Sequence, residues 1–136
     1  WDTKILATDI SGKVLEQAQK GIYSNEHIAG LPPQWRLNYF RKVDSGKSTV
    51  VTKIKNEIIF RKFNLMEKSF PFKRKFHVIF CRNVMIYFDA PTKRVLINKF
   101  YDAIEYGGYL FIGHSESITR GETNFKYVMP AVYRKE

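Results

Sequence analysis

The stretch from His77 to Gly113 constrains the fold more than any other part of the chain. Val78-Ile79-Phe80-Cys81 is a short β-rich run. Asp89-Ala90-Pro91 then offers a capping residue and an early proline suited to a helix start, and Val95, Leu96, Phe100, Ala103 and Ile104 recur on one helical face. Gly107-Gly108 predicts the end of that helix, and Tyr109-Leu110-Phe111-Ile112 predicts the next strand. Strand, helix and strand in this order make a crossover with parallel strands. It brings Arg82, Asn83 and Gly113-His114-Ser115-Glu116 to one carboxyl edge, where open α/β sheets bind ligands.

The rest of the chain extends an α/β reading over residues 1–136, one domain by size. Lys4-Ile5-Leu6-Ala7-Thr8-Asp9 reads as a buried strand with Asp9 at its polar stop. Ser11 is placed to cap a helix whose apolar stripe is Val14, Leu15 and Ala18, and Gly21 is placed to end it. Leu31-Pro32-Pro33 and Asp44-Ser45-Gly46 punctuate the next segment. Val50-Val51-Thr52-Lys53-Ile54-Lys55 and Ile58-Ile59-Phe60-Arg61 predict paired strands, so residues 29–62 are expected to form a small antiparallel β insertion. Phe125-Lys126-Tyr127-Val128 and Ala131-Val132-Tyr133-Arg134 predict an antiparallel finish.

Charge and cysteine content narrow the function classes. A formal charge of +10 favours anionic partners. The basic residues are scattered, however, with no zinc-finger spacing, helix-turn-helix pattern or RNA-recognition motif, so nucleic acid is not the expected partner. His27, His77 and His114 have no metal-like spacing with one another or with Cys81. A single cysteine makes no internal disulfide, and no apolar run is long enough for a membrane span. A cytoplasmic protein without membrane insertion is therefore the expectation.

A carboxylate at the end of a first strand, as Asp9 is, can accept hydrogen bonds from vicinal ribose hydroxyls, although an Asp there also serves as an ordinary turn or cap residue. Four motifs add to it: Ala7-Thr8-Asp9-Ile10, Asn64-Leu65, Ile79-Phe80-Cys81-Arg82-Asn83-Val84-Met85-Ile86-Tyr87-Phe88 and Gly113-His114-Ser115-Glu116. In order and setting they resemble the CheR-type chemotaxis receptor methyltransferases, and the similarity spans essentially the whole chain, β insertion included. The resemblance implies a Rossmann-like S-adenosylmethionine-dependent methyltransferase sheet. It also implies methyl transfer to receptor glutamates, with S-adenosyl-L-homocysteine as the other product and the cytoplasmic domain of chemoreceptors as partner. Carried over residue by residue, it has Asp9 holding the ribose, Asn64 and Leu65 flanking the adenine, and Arg82 and Asn83 lining the pocket beside the methionine moiety. Tyr87 then faces the transferred methyl group and, with Arg82, the incoming glutamate.

Such a reaction explains why the chain needs no hydrolase-like triad. A glutamate side chain, with an ordinary pKa of about 4.3, is already ionised at neutral pH. What remains is alignment of an oxygen with the methyl group, which in well-oriented systems lowers a barrier by about 7–11 kcal/mol. The family's glycine-rich cofactor loop does not precede Asp9, so the resemblance also implies a fragment that binds cofactor poorly and exposes strand edges able to pair with another copy. Two rival readings are a non-catalytic receptor-binding module and an amino-group methyltransferase of nucleic acids. The second lacks its Asn/Asp-Pro-Pro-Tyr type of string, since Arg82-Asn83-Val84-Met85 stands at that strand end. The resemblance further implies that members binding a receptor-terminal peptide carry a longer, glycine-containing loop in the insertion, where this chain has the compact turn Val43-Asp44-Ser45-Gly46-Lys47. Substrate encounter is therefore expected through basic residues such as Lys42, Lys47, Lys53, Lys55, Arg61 and Lys62.

Overall fold

The computed structural model describes residues 1–136, which form two units, Trp1–Asn64 and Leu65–Glu136. In the first unit Ile5–Asp9 is strand β1. Ser11 behaves as expected: its hydroxyl accepts the Val14 N–H at 3.3 Å and caps helix α1, Gly12–Lys20. Gly21 closes α1 in the left-handed region (φ +60°), donating its N–H to the Ala18 carbonyl, a conformation that costs glycine no Cβ clash.

Beyond α1 the chain builds a three-stranded antiparallel sheet. Strand β2 is Ile22–Ser24, helices α2 and α3 are Asn25–Ile28 and Pro33–Tyr39, and strands β3 and β4 are Phe40–Lys42 and Lys47–Val50, giving the order β2-β4-β3. The β3–β4 turn is held by Gly46 N–H on Asp44 Oδ1 at 2.8 Å and by Val43 N–H on the Lys47 carbonyl at 2.9 Å. The buried Ser48 hydroxyl donates to Asn25 Oδ1 at 2.8 Å and ties the sheet to α2.

The expected hairpin of Val50–Lys55 with Ile58–Arg61 does not form. Thr52–Lys55 is a single helical turn, α4, extended by Asn56 N–H on Thr52 O and Glu57 N–H on Ile54 O. Ile58–Lys62 is strand β5 and pairs in parallel with β1, from Ile5 opposite Ile58 to Asp9 opposite Lys62. A β-branched run prefers strand only while its neighbours supply a ladder, and here β1 supplies Ile58–Lys62 with a partner along its whole length, while Thr52–Lys55 takes a helical turn. The antiparallel strands are thus drawn from residues 22–50.

The second unit realises the crossover. Strand β6 is Phe76–Cys81, a 3-10 turn covers Met85–Tyr87, helix α5 is Ala90–Ala103 and strand β7 is Ile104–Ile112. Asp89 caps α5 by accepting the Thr92 N–H at 2.9 Å. β6 and β7 are parallel, with Val78 opposite Tyr109 and Cys81 opposite Ile112. Strands β8 (Lys126–Met129) and β9 (Val132–Arg134) add antiparallel partners in the order β6-β7-β9-β8. Leu96, Ile97 and Phe100 of α5 share one core with Met85, Ile104, Leu110, Ile112, Phe125 and Tyr133. Each such large side chain contributes about 1.5–3 kcal/mol by leaving water.

Gly107-Gly108 does not stop the helix. α5 ends at Ala103, where Lys135 Nζ donates to the carbonyls of Tyr101 (2.7 Å) and Ile104 (3.0 Å) that the last turn leaves without helical partners. The two glycines instead lie in an irregularity of β7, between its pairings at Ile104 and Tyr109. Gly107 has φ +83°, and a Cβ at Gly108 would meet the His77 carbonyl at 2.7 Å, so glycine is what lets β7 approach β6 there. β1 has a sheet neighbour only on its β5 side, and β6 only on its β7 side, with Phe80 of β6 71% exposed. No helix is long and apolar enough to cross a membrane.

Candidate functional site

In the first unit Asp9 and Asn64 lie at or just beyond the carboxyl ends of two parallel strands. Asp9 ends β1, and its carboxylate is oriented by accepting the Ser11 N–H on Oδ1 at 2.8 Å. The Asp9 carbonyl accepts the Phe63 N–H at 3.0 Å, so Asn64 comes directly after the pairing that holds the Asp9 backbone. Asp9 is half-buried and Asn64 exposed, an arrangement that leaves polar groups at a strand edge.

In the second unit Arg82 and Asn83 come directly after β6, and Tyr87 closes the turn behind them. Arg82 and Asn83 are exposed and Tyr87 is 81% exposed, so all three are presented to solvent at the carboxyl end of β6. Asn83 has φ +59°, in the left-handed region that asparagine enters more readily than most side chains. Leu65 opens this unit, half-buried against the core, with its carbonyl accepting from Lys99 Nζ at 3.0 Å. The six residues thus divide: Asp9 and Asn64 in one unit, Leu65, Arg82, Asn83 and Tyr87 in the other.

Glu116 has a part in this site that the sequence did not reveal. It is buried, and its carboxylate accepts three backbone N–H groups: Gly113 (2.6 Å) and Asn83 (3.2 Å) on Oε2, and Ile86 (3.1 Å) on Oε1. A carboxylate committed in this way to the backbone is no triad partner for His114, which is exposed. The sequence offers only a glutamate three residues after a strand-end glycine, a spacing that does not by itself predict convergence of residues 83, 86 and 113.

Cys81, the last residue of β6, is buried. Burial, with a smaller push from the Glu116 carboxylate, raises its thiol to about 12, so it stays protonated and inert as a nucleophile near neutral pH.

Comparison with known proteins agrees with the motifs. A family model described as CheR methyltransferase, SAM binding domain, matches residues 1–133. A chemotaxis protein methyltransferase of Borreliella burgdorferi is 48% identical over 132 residues, covering 97% of this chain and 46% of that protein. A chemotaxis protein methyltransferase of Escherichia coli is 37% identical over 133 residues, covering 96% of this chain and 46% of that protein. The chain therefore spans about half the length of the curated relatives it matches. Among solved structures, a glycopeptide N-methyltransferase complexed with S-adenosyl-L-methionine aligns with TM-score 0.49 and 14% identity, over 80% of this chain and 34% of that one.

Proposed function

The chain belongs to the CheR methyltransferase family, and from that premise we propose that it is catalytic-domain sequence of a cytoplasmic protein-glutamate O-methyltransferase. Its substrates are glutamate side chains on the cytoplasmic domain of bacterial chemoreceptors, and its products are glutamate methyl esters and S-adenosyl-L-homocysteine. The observation that carries this reading is the presentation of Arg82, Asn83 and Tyr87 together at the carboxyl end of β6, where the parallel pairing with β7 also delivers Gly113.

The residues fit a nucleoside cofactor. The Asp9 carboxylate is pre-oriented at a strand end by Ser11, as a ribose hydroxyl acceptor needs to be. Gly113, where a Cβ would meet Asn83 Oδ1 at 2.5 Å, lets the loop after β6 lie against the end of β7. S-adenosylmethionine supplies, when bound, a methyl group on a positively charged sulfur. By the family resemblance Asn64 and Leu65 would flank the adenine, and Arg82 and Asn83 would line the methionine end. Tyr87 and Arg82 orient the incoming carboxylate by hydrogen bonding. Because that carboxylate arrives ionised, no residue here has to remove a proton from it. Rate then rests on how rigidly these side chains hold oxygen and methyl in line.

The test uses the gene-encoded protein, radiolabelled S-adenosylmethionine and a receptor cytoplasmic fragment. Label should enter the receptor and leave as methanol under mild alkali, as a methyl ester does. Base-stable label would point to another acceptor atom, and receptor binding without any label would favour a non-catalytic receptor-binding module.

A further inference from the structure

We propose that Glu116 is the positioning residue of this site, its carboxylate setting the loop 82–87 from which Arg82, Asn83 and Tyr87 project. The proposal rests on the reading of Tyr87 as the residue that faces the transferred methyl group. A buried carboxylate is costly unless ionic hydrogen bonds replace its water, and here three backbone N–H donors do so. Those donors come from both strand ends. Gly113 is the first residue after β7, whereas Asn83 and Ile86 lie in the loop after β6.

The two bonds to that loop fall on or directly beside the functional residues. One holds the N–H of Asn83, the residue with φ +59°. The other holds the N–H of Ile86, next to Tyr87. The loop's own bonds, Tyr87 N–H on Val84 O and Phe88 N–H on Met85 O, fix its internal shape. Glu116 in addition ties that shape to the end of β7. Were it only a satisfied buried carboxylate stabilising the unit at large, its loss would loosen loop and core alike and would act independently of Tyr87.

Glu116→Gln separates the two. An amide of the same size has one carbonyl oxygen, which can serve the Gly113 and Asn83 side or the Ile86 side but not both, and its NH2 then faces a backbone N–H. In the gene-encoded protein, amide hydrogen exchange at Asn83 and Ile86 should quicken about 10-fold or more while Leu110 and Ile112 keep their protection. The methyl-transfer kcat should fall about 10-fold or more, and Tyr87→Phe should cost less than about 3-fold in the Glu116→Gln background although it costs far more alone. Unchanged exchange at Asn83 and Ile86, equal quickening at Leu110 and Ile112, or fully additive kcat losses would each overturn the proposal. Should E116Q fail to fold, Glu116→Asp, which keeps the charge but retracts it by one methylene, takes the same comparisons. Absence of methyl transfer by the unsubstituted protein would sink the proposed function instead, with the exchange pattern still deciding whether Glu116 holds the loop.

Discussion

A side chain at Gly113 would place its Cβ 2.5 Å from Asn83 Oδ1, so the loops at the carboxyl ends of β6 and β7 meet with no room for a methyl group. The same Cβ would lie 2.8 Å from Glu116 Oε2 and 3.1 Å from the Asn83 backbone nitrogen, the two atoms joined by one of the bonds that centre on Glu116. Gly113→Ala should therefore destabilise the protein by about 1–3 kcal/mol. Gly12, the first residue of α1, has open space where a Cβ would go. Gly12→Ala should be neutral or stabilising by up to about 1 kcal/mol. Urea midpoints of the two variants check this, and equal shifts would mean that the strand-end loops yield freely.

Asp9 is the residue whose proposed role depends on the nucleoside alone. Asp9→Ala removes the acceptor that Ser11 orients and should weaken S-adenosyl-L-homocysteine binding to the gene-encoded protein by about 1–3 kcal/mol. Calorimetry reads this directly. An unchanged affinity would return Asp9 to the role of a turn residue closing β1.

Cys81 predicts how stability responds to alkali. Its folded-state value of about 12 lies above the ordinary 9.0, because burial, and secondarily Glu116, disfavours the thiolate. Below pH 9 the thiol is protonated in both states and its contribution is fully present, and as pH rises toward 12 the unfolded chain ionises first and folding weakens. At about pH 10.5 the loss from this one group should be about 2 kcal/mol. Comparing urea midpoints at about pH 8 and about pH 10.5 for the protein and for Cys81→Ala isolates it from the lysines and tyrosines. Identical losses in both would mean that the thiol is not shielded.

Local signals carried much of this fold and failed where a distant partner decided. Ser11, Gly21 and Asp89 end their helices as their chemistry dictates, since a cap needs only its next few residues. The crossover from Val78 to Ile112 was legible for the same reason, and with it the presentation of Arg82, Asn83 and Gly113 at one edge. Ile58–Arg61 was assigned to the wrong partner because β-branched residues fit either ladder, and only β1, about 50 residues upstream, settles which. Gly107-Gly108 looked like a helix stop, yet α5 ends at the Lys135 ammonium, which the sequence keeps over 30 residues away. The role of Glu116, as distinct from its place at the carboxyl edge, was the largest omission. A glutamate in a strand-end loop is ordinarily solvated, and three converging N–H groups are a property of the folded backbone.

Receptor encounter should depend on charge more than on a docked peptide. The β3–β4 turn is compact, closed by Gly46 N–H donating to Asp44 Oδ1 and flanked by Lys42 and Lys47. Lys42, Lys47, Lys53, Arg61 and Lys62 are exposed, and the ion pairs of the structure involve other residues. A short turn gives a receptor-terminal peptide little to dock on by strand addition, whereas exposed, unneutralised lysines attract a glutamate-bearing surface at a distance. That attraction weakens with salt, because the screening length shrinks from about 8 Å at 0.15 M to about 3 Å at 1 M. Initial methylation rates should therefore be measured on one receptor with and without its C-terminal peptide, at several salt concentrations, using the gene-encoded protein. The expected outcome is a rate that falls steeply with salt and changes less than about 3-fold when the peptide is removed. A large drop on removing the peptide, with little salt dependence, would instead make the insertion a peptide-docking edge despite its short turn.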